Sequence, residues 1–550
     1  MAEMYDRGFW SDSTLLDHYN ETVRLKRDAT CLADYQTELG RSHELSYGEF
    51  DQLATRLACG LHELGITKGD IVSFQLPNWW QFVVIHFACL KIGAISNPLM
   101  PIFRQRELSY MLEFAESKVL FVPKSFRGFD HEEMIEGIRA GLPKLKHVIT
   151  IGGEDGAKNG AAGTVSDNMS FEHFMLENEW EKKHNTDELF AAGRLEPNDV
   201  MLILYTSGTT GMPKGVMHTS NTLLYGVREV NEYFGNEPGA VSFMGSPLAH
   251  LTGYLYGMMS PFYLRSKAVL LDVWNANKAW QLMDEHQAYY SMGATPFLAD
   301  MTRSPEAERQ IEKGTLKLFI CGGAPIPRAL AKEAAERLKV RLSPVWGMTE
   351  TAVITAVGAS DPSEKTTETD GRPVEGCDVK IVDPTSRIAL PNGQDGLLLV
   401  RGPSLFVGYL KRPEAYDTNE DGWFDTGDIA RMDDEGYIRI TGRAKDIIIR
   451  GGENIPVVDV ENTIYRHPGV EDAAVVGMPD LRLGELGVCY ITLKEGAELS
   501  FNELQAFMEV EGLAKQYWPE RLEIITDFPR TASGKIQKFK LREMATEMTE

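Results

Sequence analysis

Val200-Met201-Leu202-Ile203-Leu204 runs straight into Tyr205-Thr206-Ser207-Gly208-Thr209-Thr210-Gly211-Met212-Pro213-Lys214-Gly215. The apolar run reads as a buried strand. The segment after it carries four hydroxyls, on Thr206, Ser207, Thr209 and Thr210, and three glycines, Gly208, Gly211 and Gly215. Glycines let backbone N–H groups approach phosphate oxygens, the hydroxyls add donors, and Lys214 adds a positive charge. The loop is not of Walker A type. Counted from Gly208, the second Walker glycine would fall at Pro213, and Lys214 is followed by glycine rather than Ser or Thr.

Strands and helices alternate on both sides of this loop. Upstream, Ser46 and Glu49 form a capping box that opens a helix to about Leu64. Asp70–Leu76 reads as a strand, a helix follows to about Ile92, and Lys118–Val122 reads as another strand. A second alternating block covers 200–360. Such alternation implies a layered α/β domain with parallel strands. Residues 152–170, rich in Gly, Ala, Asn and Ser, read as a surface loop. Residues 380–440 shift to short strands with Asn392-Gly393 and Asp421-Gly422 turns, a β-rich subdomain. The last hundred residues read as a small α+β domain. Its helices are Pro456–His467 and Ser500 to about Val510, and its strands are Asp472–Met478, Gly487–Lys494 and Arg521–Thr526. The expected division is a large N-terminal domain, 1–443, and a small mobile C-terminal domain, 444–550.

Composition sets outer bounds. At 550 residues the chain exceeds the roughly 250–300 residues at which a single core stops growing. A net charge of −24 argues against non-specific nucleic-acid binding, which needs a basic stripe. Six dispersed cysteines without a C-x-x-C pair indicate neither a zinc knuckle nor a disulfide framework and suit a reducing cytoplasm. Residues 1–20 lack the apolar core of a signal peptide. The most apolar stretch, Trp79–Met100, is interrupted by Gln81, His86, Lys91 and Asn97, so it reads as a buried helix rather than a membrane span.

Further motifs follow in order: Cys321-Gly322-Gly323-Ala324-Pro325 after a strand, Trp346-Gly347-Met348-Thr349-Glu350, Gly422-Trp423-Phe424-Asp425-Thr426-Gly427-Asp428, Gly442-Arg443-Ala444-Lys445-Asp446, Gly451-Gly452-Glu453-Asn454 and Pro529-Arg530-Thr531-Ala532-Ser533-Gly534-Lys535-Ile536. Taken singly, each has a bland reading. Gly-Gly after a strand is usually a turn, Asp in Thr-Gly-Asp an Asx-turn, and Lys in a Gly-Ser loop a solvated side chain.

As an ordered set, over roughly 45–540, they resemble the AMP-forming adenylating enzymes, which include acyl-CoA synthetases. The resemblance implies ATP, Mg²⁺ and coenzyme A as reactants and a small carboxylic acid as substrate, with no nucleic-acid partner and no membrane insertion. It implies that Thr206, Ser207, Gly208, Thr209, Thr210 and Lys214 wrap phosphate, and that Gly322, Gly323, Ala324 and Pro325 receive adenine. Trp346 would stack on adenine beside Gly347 and Met348, Thr349 would contact the α-phosphate, and Glu350 would hold Mg²⁺. Asp428 and Arg443 would contact ribose. Lys535 would bridge the substrate carboxylate and the α-phosphate, with Thr206 and Glu350 as its catalytic partners. Gly451 and Gly452 would meet the CoA arm, and Lys445 would be the hinge.

By the same resemblance the acyl pocket draws on Ala249 to Tyr256, with His250, Leu251 and Tyr254 singled out, on Gly293-Ala294-Thr295-Pro296, with Gly293 and Ala294 singled out, and on Gly322-Gly323, with His250 as a gate. A packed helix-start histidine is the competing reading of His250. These segments contain no acidic residue for a substrate amine, so an amino acid is disfavoured and a compact hydrophobic acid favoured. The closer similarity is to bacterial cyclohexanecarboxylate–CoA ligases. Two rivals stay open: an adenylating enzyme with a non-CoA acceptor, and a non-catalytic nucleotide-binding protein on the same fold. In one departure from the family, Gln516-Tyr517-Trp518-Pro519 stands where relatives often carry a lysine.

Overall fold

The computed structural model describes residues 2–548 apart from 153–167, 207–212, 417, 420, 445, 451–452, 456 and 532–533. Two large sheets form the centre. The first has eight strands, in spatial order Gly408–Tyr409, Lys214–Thr219, Val200–Thr206, Ile95–Pro98, Ile71–Phe74, Val119–Pro123, His147–Ile151 and Met169–Ser170. From Val200–Thr206 to Met169–Ser170 its pairings are parallel. The second has nine strands, and its middle, from Thr30–Gln36 to Arg341–Met348, is likewise parallel. Parallel sheets survive only when both faces are covered, which is why their strands read as continuous apolar runs.

The covering helices start where the sequence says. Ser46 Oγ accepts the Glu49 N–H, and the Glu49 carboxylate accepts the Ser46 N–H at 2.9 Å, opening the helix Tyr47–Glu63. Those bonds also hold the Glu49 pKa below its ordinary value. The apolar stretch after Trp79 forms the helix Trp80–Ile92, buried at every position from Gln81 onward. A helix apolar on all sides belongs inside a core. Among the described residues no helix is long and apolar enough to cross a membrane.

The β-rich segment is a four-stranded antiparallel sheet of Asp378–Val382, Gly396–Arg401, Phe424–Met432 and Ile438–Arg443. One hydrophobic core joins the two large sheets and the inner face of this third one. The C-terminal part has its own cores around a five-stranded sheet. Its helix Val457–Tyr465 is slightly shorter than expected. Its central hairpin, Val470–Asp480 with Gly484–Leu493, is longer, because the turn tightens to three residues. The Ser500–Glu503 capping box is present. Of the loop expected at 152–170, residues 153–167 lie outside the described residues, and Met169–Ser170 is a short edge strand.

Candidate active site

Between the large and small domains lies a cavity of about 2170 Å³ lined from both sides. Val200–Thr206 and Lys214–Thr219 pair antiparallel, with Thr206 opposite Lys214. The next described element is therefore an antiparallel partner strand, whereas a Walker loop joins a strand to a helix. Thr206 and Lys214 line the cavity. Ser207, Gly208, Thr209 and Thr210 lie outside the described residues.

Lys214 Nζ sits 4.7 Å above the ring of Tyr409, and the Tyr409 hydroxyl donates to Glu350 Oε1 at 2.8 Å. Glu350 is buried, which raises its pKa. The Tyr409 bond and the charges of Arg443 and Lys214 oppose that rise. Among the described residues no three His, Cys, Asp or Glu side chains cluster as a metal site. The donor set still fits Mg²⁺, which is normally bound by one or two carboxylates together with substrate phosphates and water.

Trp346, Gly347 and Met348 end the strand Arg341–Met348, and Thr349 and Glu350 form the turn after it. At Gly347 a Cβ would stand 1.9 Å from the Ala352 carbonyl oxygen, so the turn closes only over glycine. Trp346 is nearly buried, and its Nε1–H donates to Asp428 Oδ2 at 2.9 Å. Asp428 and Arg443 are opposite each other in neighbouring strands, and Arg443 Nε lies 2.7 Å from Asp428 Oδ1. That contact is an ion pair at the cavity wall, and Oδ1 has no further hydrogen bond. Gly322, Gly323, Ala324 and Pro325 line the same wall.

Lys535 comes from the small domain. The Thr531 N–H donates to the Lys535 carbonyl at 2.8 Å, and the Lys535 N–H to Thr531 Oγ1 at 3.0 Å. Arg530 donates to the Gly534 carbonyl at 3.0 Å and pairs with Asp472. Gly534 packs beside Pro296 of the large domain, and Lys535 lines the cavity. Its charge acts on His250, whose pKa falls to about 4, mainly through burial. His250 is thus a neutral cavity-wall residue at the start of a helix, and its Nδ1 accepts the Thr252 N–H at 3.3 Å.

Leu251, Ala294 and Gly323 line the cavity beside His250, but Tyr254 and Gly293 do not. Tyr254 faces the core, with its hydroxyl 2.8 Å from His86 Nε2. Gly293 ends a strand against the Phe297 side chain. Tyr256, within the expected segment, lines the cavity, as does Met292 outside the expected segments. Tyr254 and Gly293 were both expected by resemblance, which points to segments and not to the side chains within them that face the cavity; Gly253–Met259 is π-helical. Lys445, Gly451 and Gly452 lie outside the described residues. At the departure from the family pattern, the Trp518 indole N–H donates to the Leu513 carbonyl at 2.8 Å and Lys515 pairs with Glu509.

Sequence reasoning missed Tyr409 and His218. His218 is fully buried on the strand Lys214–Thr219, with Nε2 2.7 Å from the Thr349 carbonyl and Nδ1 3.1 Å from Thr222 Oγ1. Burial lowers its pKa to about 4. A neutral ring donating from Nε2 must accept at Nδ1. A lone histidine in an apolar strand gives no sequence signal of this link.

Residues 19–410 match the AMP-binding enzymes, and residues 459–535 match the AMP-binding enzyme C-terminal domain. The chain belongs to the AMP-binding enzyme family. Within that family it is 37% identical over 544 residues to the medium-chain fatty-acid–CoA ligase of Escherichia coli (strain K12), covering 98% of this chain and 92% of that protein. It is 31% identical to the 2,3-dihydroxybenzoate-AMP ligase of Bacillus subtilis (strain 168), covering 100% of this chain and 96% of that protein. The crystal structure of ATP-bound MatB from Rhodopseudomonas palustris superposes with a TM-score of 0.82 at 25% identity, covering 98% and 100% of the two chains. All three comparisons span both domains, so the family assignment covers the large and small domains together.

Proposed function

We propose that this enzyme joins a compact hydrophobic carboxylic acid to coenzyme A through an acyl-AMP intermediate, with cyclohexanecarboxylate as the first substrate to test. It is an AMP-forming acid–thiol ligase that uses ATP, Mg²⁺ and CoA. One observation carries the reading. Lys535, Lys214, Glu350 and Asp428 wall the same cavity as the apolar residues Leu251, Tyr256, Met292 and Ala294. Apolar walls with few polar groups suit an acid held by its hydrocarbon part. The medium-chain and aryl acids in the names of the relatives mark the neighbouring possibilities.

In the first step a carboxylate oxygen attacks the α-phosphorus, and the bond from that phosphorus to the bridging oxygen of pyrophosphate breaks. Two anions must meet, so the site supplies cations where charge builds: Lys535 at the carboxylate and α-phosphate, Lys214 at the departing phosphates. Mg²⁺ held by Glu350 and the phosphates would add charge neutralisation there. The neighbours of Asp428 aim it at the ribose hydroxyls, and Trp346 walls the adenine side. In the second step the CoA sulfur attacks the acyl carbon, the bond to AMP breaks and the thiol proton leaves to solvent. We divide the chain into domains 1–443 and 444–550, with the smaller turning about Lys445 between steps. The buried free thiols of all six cysteines suit the reducing cytoplasm, where we place the enzyme.

The test is one incubation with Mg·ATP, CoA and a panel of alicyclic, aryl, straight-chain and amino acids, read by mass spectrometry. Acyl-CoA with AMP is expected. AMP without thioester would reject CoA as acceptor, and ADP would reject the chemistry. Equal use of octanoate, benzoate and cyclohexanecarboxylate would reject the alicyclic assignment.

A further inference from the structure

The segment that walls the acyl compartment is held from behind by polar side chains of the buried helix Trp80–Ile92 and the turn before it. Asn78 is buried, and all its side-chain bonds go to distant backbone. Nδ2 donates to the Ser246 and Leu271 carbonyls at 2.9 and 3.1 Å, and Oδ1 accepts the Leu248 N–H at 2.8 Å. Two turns on, fully buried His86 reaches the same segment, with Nε2 2.8 Å from the Tyr254 hydroxyl and Nδ1 2.8 Å from Ser96 Oγ. Ala249, His250, Leu251 and Thr252 lie between these anchors and line the cavity, as does Tyr256 just beyond. At Gly253 a Cβ would stand 2.2 Å from the Pro247 carbonyl oxygen, so the segment also folds tightly on itself.

We propose that Asn78 and His86 are positioning residues that set the acid selectivity of the enzyme, acting through Ser246–Leu248 and through Tyr254. This rests on the reading above that the apolar compartment takes the acid. The physical case is one of satisfied bonds. Burial lowers the His86 pKa to about 3. A neutral imidazole has one donor and one acceptor, and the two hydroxyls of Tyr254 and Ser96 use both. Nothing spare remains, so losing either hydroxyl leaves a buried ring nitrogen unpaired. Tyr254 and Tyr256, two positions apart and so on opposite faces of their helix, meet His86 and the cavity respectively, and the stretch that carries them, Gly253–Met259, is π-helical, a rare form that recurs at functional sites.

The test uses the full enzyme and Tyr254→Phe, which removes one hydroxyl that does not face the cavity. Amide hydrogen exchange is followed across 246–256, together with the ratio of kcat/KM for cyclohexanecarboxylate to that for octanoate. The expected result is faster exchange in 246–256 with none in strand Val200–Thr206, and a ratio shifted about fivefold, the scale of one hydrogen bond. KM for ATP should not move. Unchanged exchange, or a lower melting temperature with an unmoved ratio, would overturn the proposal, because a merely structural bond does not choose between acids. If Tyr254→Phe does not fold, Asn78→Ser is read in the same two ways. If the wild type activates neither acid, the substrate reading fails, and the exchange arm still decides whether the anchors hold the segment.

Discussion

The cavity has two walls built on different principles. The wall we assign to the nucleotide is made of charged and polar groups that meet one another directly: Trp346 to Asp428, Asp428 to Arg443, Tyr409 to Glu350, Lys214 over Tyr409. The wall we assign to the acid mixes apolar Leu251, Met292 and Ala294 with the neutral His250, and its segment is anchored one layer back, at Asn78, His86 and Tyr254. A nucleotide is recognised by fixed charges and donors, so its residues must stand at the surface they serve. A hydrocarbon is recognised by shape, so what must be fixed is the backbone carrying the apolar surface. Variants should therefore behave differently on the two sides.

Lys535→Ala should have the largest effect. Removing one preorganised donor from a developing charge costs about 10²–10³ in rate. We expect acyl-AMP formation, measured by ATP–pyrophosphate exchange, to fall by that factor. Thioester formation from supplied acyl-AMP should stay within about threefold of wild type, if Lys535 acts only in transition-state stabilisation of the first step. Equal loss in both half-reactions would remove its assignment.

Asp428→Asn should come next. It keeps an acceptor for Trp346 but removes the charge facing Arg443 and the ribose. Bonds to charged groups contribute about 1.5–3 kcal/mol, so KM for ATP should rise at least about tenfold. KM for the acid should not change. A rise in both would mean that the two walls are not independent.

These two residues also show what the sequence made legible. Asp428 and Lys535 sit in motifs whose order along the chain carries information, and the structure brings them to one cavity. The strands and capped helices were readable because burial imposes period and Ser-x-x-Glu imposes a start. Tyr254 was expected in the pocket by resemblance, which marks the segment but not which of its side chains faces the cavity, and its hydroxyl meets buried His86 instead. His218 and Tyr409 were invisible for another reason. Each acts through a partner more than 50 positions away, and a single His or Tyr in an apolar strand looks like packing.

Tyr256→Ala tests the acyl wall directly. The side chain lines the cavity, and its loss should enlarge the compartment. A changed apolar contact shifts discrimination by roughly tenfold. The expected outcome is a preference moved toward longer or bulkier acids with KM for ATP unchanged, read from kcat/KM across the panel. An altered ATP KM with no change among acids would exchange the roles of the two walls.

The smallest effect at neutral pH is also common to both walls. His86, His218 and His250 have pKa values pushed down to about 3, 4 and 4 by burial, so all stay neutral in the working range. No histidine inflection is expected in the adenylation rate between about pH 6.5 and 8. Stability behaves otherwise. A depressed histidine contributes stability that is present above its unfolded value near 6.5 and is lost as pH falls toward the folded value. Each such group costs up to about 1.4 kcal/mol per pH unit in that window, so roughly 2 kcal/mol apiece between pH 6.5 and 5. The urea midpoint of the wild type should therefore fall steeply over this range. His218→Asn on the nucleotide side should flatten the slope by one such share, and so should His86→Asn behind the acyl wall. If only one of them does, the other histidine is reached by solvent, and the wall it supports is looser than its hydrogen bonds imply.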